Sequence, residues 1–180
     1  MILAIYTVLH VAISLAGIFT GFFILFGLLT GNRLNRWTVF FLSTTVLTSV
    51  TGFFFPSHHV LPSHIVGIIS LAVLAAAIYA RYVRHLNGAW SKVYVVGAVL
   101  ALYLNVFVAI VQAFLKIPVL KEMAPTQSES PFKFAQLFVL VLFVLLAVFA
   151  AYRFRDDRLT PIDHLNKKQS DKSHEQYTEK

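Results

Sequence analysis

Imidazole dominates the chemistry this chain can offer, because it has no cysteine and no acidic residue before Glu122. Five histidines precede that glutamate: His10, His58, His59, His64 and His85. Neutral imidazole is a good axial ligand for haem iron and a good ligand for copper or zinc. Two histidines on different helices at one depth are what a bis-histidine b-type haem requires, and His10 with His64 is the pair suited to it. Copper or zinc would instead draw on three or four of His10, His58, His59 and His64. The amides of Asn105 and Gln112 add hydrogen bonds to a ligand imidazole or to a quinone carbonyl. Against this stands the plain reading that polar residues at a membrane surface need no explanation, since water and head groups satisfy them. His85, followed by Leu86-Asn87-Gly88, reads as a helix terminus, where an imidazolium suits the dipole and glycine caps the chain.

The elements that must position these groups follow from the charges. At 58% hydrophobic and 13% charged, with a mean hydropathy of +0.74, the chain is too apolar for a water-soluble fold. No Asp, Glu, Lys or Arg occurs in 1–32, 37–80, 93–115 or 134–152. A hydrocarbon core about 30 Å thick takes about 20 helical residues. The first, third and fourth stretches therefore hold one helix each, and the second holds two, broken at Pro56-Ser57-His58-His59-Val60-Leu61-Pro62-Ser63. The expected fold is an all-α, polytopic bundle of five transmembrane helices, over about 2–30, 37–56, 62–84, 92–115 and 133–153. Residues 1–30 lack a basic segment ahead of their apolar run, which exceeds the length of a signal-peptide core, and are read as a retained first span.

Threading five spans puts Arg33, Arg36, Arg81, Arg84, Lys92, Arg153, Arg155 and Arg158 on one side and Lys116, Lys121 and Lys133 on the other. The positive-inside rule then predicts N-out/C-in. Counting about 20 residues from each cytoplasmic boundary reaches His10, Ser57 and His58, Leu61 shortly before His64, Ala113 beside Gln112, and Lys133 a turn from Gln136. A polar ring is therefore expected at the outer edge of the bilayer. Residues 116–133 form the one sizeable external loop, with three prolines, and residues 154–180 read as a disordered, charged cytoplasmic tail. The net charge of +7 is mostly juxtamembrane. It points to anionic lipid head groups as a partner and away from nucleic acid.

Small and weakly polar residues hold helices together in lipid. Thr7, His10, Ser14, Gly17 and Gly21 share one face of the first span. Thr44, Thr48 and Thr51 line the second, Gly67, Ser70 and Ala77 the third, and Ala98, Ala101, Asn105, Ala109 and Gln112 the fourth. Ser14, Gly17 and Gly67 beside the histidines would leave room for a flat macrocycle. With no carboxylate inside any span, dimetal carboxylate sites and carboxylate proton relays are disfavoured. HExxH, GxSxG, GxxxxGK[ST] and GxGxxG are missing from the sequence. Ser14, four residues after His10, is only nominally a nucleophile–base couple.

The segments Leu47-Thr48-Ser49-Val50-Thr51-Gly52-Phe53, Val66-Gly67-Ile68-Ile69-Ser70-Leu71, Tyr103-Leu104-Asn105-Val106-Phe107-Val108 with Gln112-Ala113-Phe114, and Ala124-Pro125-Thr126-Gln127-Ser128-Glu129 resemble those of a family of small, uncharacterised bacterial five-helix integral membrane proteins. That resemblance spans residues 1 to about 153 and implies a bacterial cytoplasmic (inner) membrane location, with no activity to transfer. A looser likeness is to the small dihaem cytochromes b, from which the chain departs by offering only His85 on the cytoplasmic side. Three functions remain open at this point. One is a haem or metal protein with a redox or respiratory-accessory role. Another is a non-catalytic accessory subunit or assembly factor, working in a larger membrane complex or a homo-oligomer. The last is a small permease.

Overall fold

The computed structural model describes residues 1–32, 34–55 and 62–154, apart from the side chains of residues 62 and 63. The turn carrying His58 and His59, and the tail beyond Phe154, lie outside the described residues. The described chain is helical: α1 (Ile2–Thr30), α2 (Asn35–Gly52), α3 (Pro62–Ile78) continued by a π-turn (Tyr79–Val83), α4 (Ala89–Lys116), α5 (Pro118–Met123) and α6 (Ser130–Arg153). Among the described residues four helices are long and apolar enough to cross a membrane: α1, His64–Val83, α4 and α6. The 18-residue α2 is not one of them, because five threonines and two serines dilute its apolar content. Those hydroxyls are accommodated by bonding back to their own helix, as Thr38 does to Leu34 O (2.9 Å), Thr44 to Phe40 O (2.8 Å) and Thr51 to Leu47 O (2.7 Å).

Each boundary has a local cause. Gly31 takes φ +77°, and Asn32 N–H donates to Gly27 O at 2.8 Å, so α1 closes in a left-handed cap that only glycine adopts without strain. At the other end of α3 the chain leaves the π-turn through His85 (φ +50°) and Leu86 (φ +61°). Leu86 N–H reaches back to Ala80 O at 3.0 Å while its side chain is buried. Burial of Leu86 and that hydrogen bond offset the left-handed backbone, and Gly88 (φ +54°) completes the turn into α4.

Two boundaries differ from the sequence expectation. The segment 116–133, expected as a loop, contains a short helix, α5, because Pro118 stands at its first position, where the missing N–H costs nothing and the fixed φ is already helical. Phe154 belongs to the core and not to the tail: it is buried, its N–H donates to Ala150 O at 2.8 Å, and its ring lies 6.2 Å from that of Tyr94.

Helix α4 is central, touching α1, α2, α3 and α6. Its small residues permit this: a Cβ on Gly97 would sit 3.0 Å from Ala77 Cβ of α3. In α1, a Cβ on Gly21 would stand 2.5 Å from Leu102 of α4 and 2.8 Å from Phe41 of α2, so three helices meet there and a larger residue would have to displace those side chains. Around these contacts pack Ile24, Leu25, Leu74, Val95, Val99 and Phe143.

Candidate functional site

The end of the α1–α2 seam away from the basic residues holds the densest polar chemistry. Tyr6 Oη donates to Thr51 O (2.6 Å) and His10 Nδ1 lies 2.8 Å from Thr51 Oγ1. One turn deeper, Ser14 Oγ donates to His10 O at 2.8 Å and stands 3.4 Å from Thr48 Oγ1. Deeper again, Asn105 Nδ2 of α4 donates to Thr45 Oγ1 at 3.3 Å, beside Gly17. The face His10, Ser14, Gly17 and Gly21 of α1 thus meets Thr51, Thr48, Thr45 and Phe41 of α2, with α4 closing the inner end.

Thr51 Oγ1 also lies within hydrogen-bond reach of Leu47 O (2.7 Å) and Thr48 O (3.2 Å). With its one proton on its own helix, the hydroxyl accepts from a His10 protonated at Nδ1; turned to the ring, it donates to Nδ1 of the other tautomer.

His64 sits against the same end of α2 by another contact. Its ring stacks on Phe53 (centroids 5.7 Å apart, planes 10° apart), whereas the ring of His10 meets Phe55 edge-on at 5.0 Å. Both histidines thus contact the last residues of the α2 segment, each through a different aromatic ring. The space that small residues would have left for a macrocycle is filled by protein: Thr48 beside Ser14, Thr44 and Thr45 beside Gly17, and the Phe53 ring 3.0 Å from where a Gly67 Cβ would lie. Among the described residues the gaps beside Ser14, Gly17 and Gly67 are thus occupied by neighbouring side chains. Nor is any group of three or more His, Cys, Asp or Glu among the described residues placed to hold a metal ion. Of the four histidines expected as metal ligands, His58 and His59 lie outside the described residues.

The glutamines of the expected ring serve α4 and α6. Gln112 is exposed on α4. Gln136 Nε2 donates to Phe107 O at 3.3 Å, and its buried Oε1 has no hydrogen-bond partner among the described residues. Gln127, in the loop at φ +59°, donates to Val111 O at 3.1 Å, one helical turn along from Phe107. Two amides from different segments thus supplement carbonyls on one edge of α4.

Sequence reasoning did not single out Tyr6, Gln127, Phe53 or Phe55, and it placed Thr7 on the packed face where Tyr6 makes the interhelix bond. Thr7 instead bonds its own helix at Leu3 O. It also left undrawn a cluster at the opposite, basic end. There Arg81 Nη2 donates to Asn35 Oδ1 at 2.6 Å, and its guanidinium lies 4.9 Å from the ring centroid of buried Tyr94. Tyr94 Oη is also 3.2 Å from Thr38 Oγ1.

No family model, curated protein or solved structure matches the chain.

Proposed function

We propose that this chain is a five-span, N-out/C-in protein of the bacterial cytoplasmic membrane that works as a non-catalytic accessory subunit or assembly factor, through the faces of its helices. The observation that carries this reading is how the interior polar groups are used. Tyr6, His10, Ser14, Thr45, Thr51 and Asn105 bond helix to helix, and the gaps beside Gly17, Gly21 and Gly67 are filled by neighbouring side chains. Such a seam fixes a rigid scaffold.

A full traverse by α2 is supported by the Arg81–Asn35 bond, which ties the start of α2 to the end of the α3 span at one end of the bundle. Serine and threonine hydroxyls bonded to their own helix make such a span tolerable in lipid. The basic residues Arg36, Arg81, Arg84, Lys92 and Arg153 gather at that same end, which favours its cytoplasmic placement.

The test is to extract the chain at native abundance in mild detergent, and to record the size of its assembly together with an optical spectrum before and after dithionite. A colourless, metal-free chain migrating within a larger assembly of fixed composition is expected. A Soret band that shifts on reduction, at one haem per chain, would overturn the reading in favour of a redox protein.

A further inference from the structure

A concave apolar groove of about 500 Å³ runs between α4 and α6 on the outside of the bundle, within the size range of small-molecule sites. Its floor is Val99, Phe143 and Ala147, and its basic end is marked by Lys92 and Tyr152. On α4 it extends from Lys92 to Tyr103, about 16 Å, and on α6 from Leu140 to Tyr152, about 18 Å at the helical rise. Half of a hydrocarbon core about 30 Å thick is about 15 Å. The groove therefore has the length of one leaflet, and its charged end stands in the first turn of α4, at head-group depth.

Charge identifies the occupant. Lys92, Arg81, Arg84 and Arg153 stand at this end, while the only carboxylates among the described residues, Glu122 and Glu129, lie on the loop at the other. Among the described residues no acidic side chain stands at this end to neutralise Lys92, and Tyr152 lines the same end of the groove. An apolar, leaflet-long channel with a cation at the interface fits an acyl chain whose head group carries a net negative phosphate. We infer that the α4–α6 groove is a binding site for one anionic phospholipid of the leaflet at the basic end, its acyl chain along Val99, Phe143 and Ala147 and its phosphate at Lys92.

This inference rests on the membrane reading but not on the accessory role. The experiment uses the full chain, purified in an uncharged detergent and titrated with phosphatidylglycerol or phosphatidylcholine of identical acyl chains. Bound lipid is counted by native mass spectrometry. One phosphatidylglycerol is expected to bind about fivefold more tightly than phosphatidylcholine, the effect of one basic residue near the surface. Lys92→Gln should erase that preference, Val144→Trp, which fills the groove from an exposed position, should weaken both lipids, and Lys121→Gln at the far end should change neither. Monodispersity in detergent checks that each variant is folded. Equal binding of the two lipids, or a preference that survives Lys92→Gln, would overturn the inference. So would a groove closed by a second copy of the chain, seen as a dimer that Val144→Trp dissociates. A chain that stays in solution without detergent would instead overturn the membrane reading itself.

Discussion

Thr51 joins the α1–α2 seam through both its backbone and its side chain. Its carbonyl accepts from Tyr6, and its hydroxyl is hydrogen-bonded both to His10 Nδ1 and to its own helix at Leu47 O. Thr51→Val deletes the His10 contact together with the bond back to Leu47 O, His10→Ala deletes the His10 contact from the other side, and the cycle isolates what the two share. A double-mutant cycle on detergent-solubilised protein should therefore return a coupling of about 0.6 kcal/mol, typical of interhelix hydrogen bonds in membranes. A coupling of zero would mean that the imidazole and the hydroxyl do not share this bond. Gln136 presents the opposite case, because its buried Oε1 is desolvated without recompense. Gln136→Met keeps the length and removes the orphan acceptor, and should raise the unfolding free energy by up to about 1 kcal/mol; a loss of stability would show that the bond to Phe107 O outweighs it. The residue types on the seam were legible from spacing, since His10, Ser14 and Gly17 recur at helical intervals. The partners were not. Whether Gly67 faces a cofactor or Phe53 depends on how the end of α2 meets α3, which one-dimensional periodicity does not encode.

Helices were the easiest elements to anticipate, because the stretches free of charge have membrane length, and α1, α4 and α6 fall where those stretches put them. Their ends were harder, being decided by single residues such as Pro118 at the start of α5 and the buried ring of Phe154 after α6. The loop before α6 is ordered by one carboxylate: Thr126 N–H (3.1 Å) and Thr126 Oγ1 (2.9 Å) donate to Glu129 Oε1, and Ser128 N–H to Oε2 (3.0 Å). Desolvation pushes the Glu129 carboxyl up, but the hydrogen bonds from Thr126, from its own backbone and from Ser128 together outweigh it and hold the pKa below the ordinary glutamate value. A group whose folded pKa is depressed favours the ordered loop fully above its unfolded pKa, and that preference is lost as pH falls through the folded pKa. Protection of the Thr126 and Ser128 amides from hydrogen exchange, corrected for the intrinsic rate, should therefore fall on acidification below the ordinary glutamate range. In Glu129→Gln it should be lower at neutral pH and flat with pH, and a wild-type profile in that variant would remove the carboxylate from the account. At the other end of the bundle, Gly31 has open space around it but stands at φ +77°. Gly31→Ala should therefore cost about 1 kcal/mol of stability through the backbone alone.

At the scale of the molecule, α2 decides the topology. Its hydroxyls lower its hydropathy below that of the other four long helices, yet it lies against α1 and α3 along its length and ends at the Thr51–His10 contact. If α2 crosses, Asn32 and Asn87 lie on one side of the membrane and Ser128 on the other. If it does not, Asn32 and Asn87 fall on opposite sides, whichever way the chain is inserted. The absence of native cysteine makes the distinction direct, since Asn32→Cys, Asn87→Cys and Ser128→Cys each place one thiol at an exposed position. In intact bacterial cells a membrane-impermeant maleimide should label the Ser128→Cys protein at once, and the other two only after permeabilisation. Opposite accessibility for positions 32 and 87 would remove the fifth span. Labelling of both in intact cells, with position 128 protected, would keep five spans and invert the orientation. The same arginine that bonds Asn35 also lies over Tyr94, so Arg81→Ala should loosen the basic end of the bundle without reversing it. The remaining Arg36, Arg84, Lys92 and Arg153 still outnumber Lys116, Lys121 and Lys133, and the imbalance, not any single contact, sets the direction of insertion.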